Sequence, residues 1–162
     1  MTVSEHEISH LASEEMEDLR QAIELLFFAY RDFTAEPDAT LAGYGFGRAH
    51  HRVIYFVGRN PGIAVSQLLD ILQITKQSLA RVLRQLVDEG FVEQREDLKD
   101  GRRRLLHLME KGVNIEALLT ARQAERIQAA YQGAGPDARK GFKDVLRGII
   151  NEKDRQRVSG AD

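Results

Sequence analysis

The chain has 162 residues, no cysteine, and 23 Lys and Arg against 25 Asp and Glu. That length can bury one or two small cores without staples, and the missing thiols exclude disulfide frameworks, thiolate metal sites and cysteine redox switches. No apolar run approaches the roughly 20 residues of a membrane helix, and the acidic N-terminus does not resemble a signal peptide, so a cytoplasmic protein without a membrane partner is expected.

Charge is segregated along the chain. Residues 1–40 hold Arg20 and Arg31 against ten Asp and Glu, a net of −8, while the other 122 residues carry 21 basic and 15 acidic groups, a net of +6. Such asymmetry favours an electrostatic footprint on one side of the molecule, although an acidic solvated helix gives the same count.

Residues 1–12 lack periodicity and read as a loose arm. Ser13 is placed to cap a helix whose positive end meets Glu14, Glu15 and Glu17. Met16, Leu19, Ile23, Leu26, Tyr30 and Phe33 then alternate three and four residues apart, a seam through a helix that should end near Asp32–Ala35 ahead of Pro37. Gly43-Tyr44-Gly45-Phe46-Gly47 follows. With no Lys-Ser or Lys-Thr behind it and no strand ahead, it reads as a connection rather than a phosphate cradle. The next helix starts near Arg48, carries Ala49, Val53, Ile54, Phe56 and Val57, and stops at Gly58–Gly62 around Pro61. Its adjacent His50 and His51 point about 100° apart, so they cannot chelate one ion together. No third ligand sits at helical spacing, and a paired His or one facing a pocket between domains is the better reading.

Residues 65–72 form a short helix with Leu68, Leu69 and Leu72 inward, and Gln73-Ile74 make a tight turn. Thr75 caps a second helix through Glu89, with Leu79, Val82, Leu83 and Leu86 as its apolar stripe and Gly90 as its end. Lys76, Gln77, Ser78, Arg81, Arg84 and Gln85 occupy the other faces, and no acid intervenes before Asp88. These side chains bond base edges and phosphates, whereas an ordinary solvated helix would mix Glu among the cations. Phe91–Glu96 and Leu105–Met109 read as antiparallel strands. Between them Asp97–Arg104 forms a long cationic hairpin whose tip uses Gly101, suited to a narrow minor groove; a charge-balanced solvated hairpin is its bland counterpart. Residues 113–132 form a mixed, alanine-rich helix, Gly133–Pro136 break it, and Asp137 to about Arg157 forms a last helix with Phe142, Val145, Leu146, Ile149 and Ile150 on one face. The tail Ser159–Asp162 is expected to be disordered.

A helix pair followed by a two-stranded ribbon is the layout of a winged helix-turn-helix. The expected fold is mainly α (α+β): an N-terminal dimerisation helix and arm over 1–45, the winged DNA-binding domain over 46–112, and C-terminal dimerisation helices and tail over 113–162. Segment 48–112 resembles the MarR family of bacterial transcription regulators. Gly62-Ile63-Ala64-Val65-Ser66-Gln67-Leu68 is similar to the start of that family's first reader helix, Ile74-Thr75-Lys76-Gln77-Ser78-Leu79 to the start of its recognition helix, and Leu86-Val87-Asp88-Glu89-Gly90-Phe91-Val92 to its helix–strand junction. Asp100-Gly101-Arg102, with Leu106, Leu108 and Glu110-Lys111-Gly112, resembles its wing signature and closing helix. Three positions depart from the pattern: Ala64 where a Thr cap is frequent, Gln73 where the turn often has Gly, and Met109 in place of a frequent Thr. Each is a cap or turn change worth about 1 kcal/mol, and none removes a DNA-contacting group.

The resemblance implies an obligate homodimer that regulates transcription, as a repressor, on a double-stranded pseudo-palindromic operator. It implies DNA contacts from Thr75, Lys76, Gln77, Ser78, Arg81 and Arg84 in or beside the major groove, Arg102 in the minor groove, and Arg103 and Arg104 near the backbone, with Asp100 orienting an Arg by an ion pair. It also implies a small aromatic or phenolic effector, for which Phe27, Tyr30, Arg31, His50, His51 and Tyr55 are candidate lining residues. No catalytic residue, cofactor or metal is expected: no nucleophile–base pair, carboxylate cluster or cofactor motif is present. The alternative is a winged-helix module for protein–protein assembly without specific DNA binding.

Overall fold

The computed structural model describes residues 13–158. The loose arm expected over 1–12 and the tail Ser159–Asp162 lie outside the described residues. The helices are α1 (Ser13–Ala42), α2 (Arg48–Arg59), α3 (Val65–Leu72), α4 (Lys76–Asp88), α5 (Glu110–Ala134), α6 (Ala138–Ile149) and α7 (Glu152–Arg155), the last followed by a 3-10 turn, Gln156–Val158. Strands β1 (Ile63–Ala64), β2 (Val92–Glu96) and β3 (Arg104–Leu108) form an antiparallel sheet in the order β1-β3-β2. This is the mainly α, winged helix-turn-helix architecture that the residue pattern predicts.

Two compact units divide between Glu36 and Pro37. In the first, α1 leaves its apolar seam open: Leu19, Ile23, Leu26 and Tyr30 are all exposed, Ile23 to 68%, and Phe27 and Phe28 lie beside them. Thr34 turns its hydroxyl back onto the carbonyl oxygens of Tyr30 and Arg31, at 2.8 and 3.2 Å. The helix does not end before Pro37 but continues to Ala42. Proline removes one backbone donor, yet the residues beyond it are anchored by their own neighbours. Leu41 is fully buried, Asp38 pairs with Arg48 at 2.9 Å, and the Leu41 carbonyl accepts the Tyr44 and Phe46 N–H groups.

In the second unit the core gathers one face of each reader element. Val53, Ile54 and Val57 come from α2, Leu68 from α3, Leu79, Val82, Leu83 and Leu86 from α4, Phe91, Val92 and Leu106 from the strands, and Ile115 and Leu119 from α5. The β2–β3 register runs from Val92 opposite Leu108 to Glu96 opposite Arg104. Strand β1 adds Ile63 opposite Leu106; two residues are too short to show an alternating pattern in sequence. Where α4 hands over to β2, Gly90 takes a left-handed backbone, φ +81°, as the helix stop requires. The Phe91 carbonyl then accepts the Met109 N–H at 2.9 Å and presses on α5, so that a Cβ at Gly112 would fall 2.2 Å from that oxygen. Only glycine fits there.

The three departures in the reader motif each have a local answer. Ala64 has no capping side chain, but Gln67 Oε1 accepts the Ala64 N–H at 3.0 Å, which supplies half of a capping box. Gln73 occupies the left-handed region, φ 53°, and its amide donates to the Asp70 carbonyl at 2.7 Å. Met109 caps α5 with extended backbone and no side-chain bond. At the C-terminal end the single helix expected to reach Arg157 is broken: Ile150 is extended (φ −71°, ψ 153°), and Asn151 begins a new short helix. Arg155 closes that break by donating from Nε to the Arg147 carbonyl at 2.8 Å.

Candidate nucleic-acid interface

The apolar stripe of α4 decides which residues face out. With Leu79, Val82, Leu83 and Leu86 inward, helical geometry leaves Lys76, Gln77, Arg81 and Arg84 exposed. Thr75 and Ser78 are occupied differently: Thr75 Oγ1 accepts the Ser78 N–H at 3.1 Å and donates to Ser78 Oγ at 2.9 Å, so both hydroxyls build the N-cap. The polar end of Gln85 also turns away from the free face, to His50 on α2 at 2.6 Å.

At the wing the three consecutive arginines separate into different duties. Arg103 pairs with the partly buried Asp97 at 3.4 Å. Arg104 Nη1 donates to the Gly101 carbonyl at 3.0 Å and lies 3.9 Å from Glu96. Among the described residues no bond engages the exposed guanidinium of Arg102. Asp100 serves the tip through its backbone contacts rather than by the expected ion pair. Its carboxylate accepts the Arg102 N–H at 3.1 Å and its carbonyl the Arg103 N–H at 3.0 Å. Gly101 is not left-handed, so its permissive backbone is not what the tip depends on.

Helix α4 and the wing are two walls of one groove of about 940 Å³. Lys76 and Arg84 line it from the helix and Arg102, Arg103 and Arg104 from the wing, against only Asp88 and Glu93 as acids. The floor is apolar, with Leu69, Leu79 and Leu83. Ser66, exposed at the start of α3, also lines it. In the sequence Ser66 stands out only as part of a helix start, although a hydroxyl in the first turn of the first reader helix is itself a phosphate-binding signal.

A sequence model of the MarR family matches residues 44–103, the stretch from the glycine-rich connection to the wing tip. The HTH-type transcriptional regulator PetP of Rhodobacter capsulatus is 51% identical over 135 residues, which span 83% of this chain and 81% of that protein. The chain belongs to the MarR family. It is therefore a transcription regulator with a DNA-binding winged helix, in a family of regulators rather than of enzymes. Among solved structures, that of MarR is 25% identical, with a TM-score of 0.60 over 85% of this chain and 98% of that one. FabT of Streptococcus pneumoniae, in complex with DNA, is 19% identical and shares the fold, with a TM-score of 0.72 over 81% and 94% of the two chains.

The candidate effector residues of this MarR-family chain fall in both units. In the first, Phe27 and Tyr30 are exposed, and Arg31 pairs with Asp32 at 2.9 Å while lying 4.7 Å above the Phe28 ring. In the second, Tyr55 is half-buried and meets Phe56 edge-on at 5.2 Å. His50 is buried, stacked on Phe46 with centroids 4.7 Å apart, and bonded through both nitrogens. His51 is buried beside it in sequence; desolvation pushes its pKa below the ordinary histidine value, with Asp38 and Glu116 pulling the other way. Among the described residues no group of three or more His, Asp or Glu side chains forms a metal site.

Proposed function

We propose that this regulator acts as a homodimer, each protomer reading one half of a pseudo-palindromic operator, and that it represses the promoter it occupies. The observation that carries the reading is the convergence of Lys76 and Arg84 from α4 with the unpaired Arg102 from the wing on one groove. Lys76, Gln77, Arg81 and Arg84 would meet base edges and phosphates in the major groove, and Arg102 the minor groove beside it. Arg103 and Arg104, already bonded within the wing, would contribute charge near the backbone. Thr75 and Ser78 would act through the helix cap, Ser66 would meet a phosphate, and Asp100 would hold the backbone that carries Arg102.

The open seam of α1 and the exposed Phe142, Val145 and Ile149 of α6 support the dimer, since apolar surface of this extent is usually covered by a partner. Two-fold symmetry would set the recognition helices about 34 Å apart, one turn of DNA. A small aromatic effector, for which Phe27, Tyr30 and Arg31 of the first unit and His50, His51 and Tyr55 of the second are separate candidate contacts, would relieve repression by changing that spacing.

The test is an electrophoretic shift with DNA from upstream of the gene, against random sequence, at two salt concentrations. A discrete complex that prefers the upstream DNA and weakens steeply with salt is expected. Equal affinity for both DNAs would sink the reading and favour a protein-assembly module. A promoter reporter should rise when the gene is deleted; a fall would reverse the proposed sign.

A further inference from the structure

Gln85 stands on the recognition helix among residues that face DNA, yet its side chain is used inward. Gly47, the residue before α2, donates its N–H to His50 Nδ1 at 3.0 Å. With Nδ1 accepting, the neutral ring carries its proton on Nε2, which then donates to Gln85 Oε1 at 2.6 Å. The ring has little freedom to leave: His50 is 8% exposed and lies nearly parallel to Phe46, at 12°. Phe46 in turn meets Phe91 edge-on at 5.2 Å, just past the end of α4. One imidazole therefore ties the start of α2 to the outward side of the recognition helix.

We infer that the Gly47–His50–Gln85 relay is a positioning device that sets the rotation of α4 about its own axis, and so the specificity of DNA reading. It rests on the DNA-reading function proposed above. Arg84 is the neighbour of Gln85 in sequence and Arg81 lies one turn before it. Side-chain tips sit about 6 Å from a helix axis, so a rotation of ~20° moves them by ~2 Å. That displacement leaves phosphate attraction nearly intact, because charge acts over distance, but it breaks the paired hydrogen bonds that distinguish bases. Loss of the relay should reduce the preference for the operator more than it reduces binding to DNA in general.

The experiment measures the affinity of full-length protein for operator and random duplexes at one salt concentration. The variants are His50→Phe, which keeps the ring stack, Gln85→Met, which removes the acceptor, their double variant, and Gln85→Glu, which retains an acceptor. The operator preference is expected to fall about three- to tenfold in each of the first two and no further in the double variant. Gln85→Glu should keep most of it. His50 is too buried to touch DNA, so its effect cannot be a lost contact; if His50→Phe disturbs folding, the exposed Gln85→Met still decides the matter. Nitrogen–proton correlation spectra of the free protein should show the His50 proton on Nε2. Unchanged preference in Gln85→Met or His50→Phe, or a proton on Nδ1, would overturn the relay. Absence of any operator preference in the unsubstituted protein would instead refute the DNA-reading function itself.

Discussion

Arg102, Arg103 and Arg104 are identical in chemistry and differ only in what the wing does with them. Arg103 and Arg104 hold the tip together through Asp97, Glu96 and the Gly101 carbonyl, whereas Arg102 has its guanidinium to spare. Replacing Arg102 by Ala should weaken operator binding and reduce the slope of log affinity against log salt by about one, as read by fluorescence anisotropy across a salt series. Unchanged affinity and slope would remove the wing from DNA contact. His51 makes a second residue-level prediction. Burial lowers its folded pKa below the ordinary value near 6.5. The unfolded chain therefore takes up the proton first, and the stability present above pH ~6.5 is lost as pH falls through the lowered folded value. Urea midpoints measured downward from pH 7.5 should fall below pH ~6.5, and His51→Leu should flatten that fall. Gly112 is a steric requirement: Gly112→Ala should cost about 1–3 kcal/mol in urea denaturation, because the obstruction is the Phe91 carbonyl and not a movable side chain.

At the scale of elements, local periodicity carried most of the reader domain. The Leu79–Val82–Leu83–Leu86 stripe and the Thr75 cap specify α4 within a residue of where it lies, because spacing and capping are both local facts. What was not legible depends on contacts made outside each helix's own apolar spacing. Pro37 reads as a stop, but Leu41 and the Asp38–Arg48 pair hold the turn beyond it. The apolar spacing of α6 runs on through Ile150, yet that residue is extended and the helix restarts after it. The two-residue β1 exists only because β3 is there to pair with it. In the site, the exposed cations were legible from their spacing, but the division among the three arginines was not, since it is made by Asp97 and Glu96 across a hairpin. Met109 offers a test of cap chemistry. It sits at the N-cap of α5 with no side-chain bond, so Met109→Ser should add about 1 kcal/mol of stability, seen as a rise in melting temperature by calorimetry. No rise would show that α5 is already held by its packing alone.

For the whole molecule, the exposed seam of α1 is an open apolar face among the described residues, with Leu19, Ile23, Leu26 and Tyr30 all exposed. A charge in its centre should be tolerated by a monomer and not by a dimer that buries it. Ile23→Glu should therefore shift the protein to monomer in light scattering and abolish tight operator binding, with the winged domain still folded by circular dichroism. A dimer that survives the charge would place the self-association surface elsewhere. The Gly112 contact has a mechanical consequence as well. The Phe91 carbonyl clamps the first turn of α5, and Lys111 adds a bond to the Glu89 carbonyl at 3.0 Å and a cation over the Phe91 ring at 4.6 Å. The junction between recognition helix and wing is thereby welded to the root of a 25-residue helix, a rod about 37 Å long. A tilt of ~5° at the root would become ~3 Å at the far end of such a rod, so any reorientation of the winged domain would be magnified along α5. Leverage runs in both directions, and a modest push on the distal end of α5 would turn the DNA-reading surface through only a small, finely graded angle.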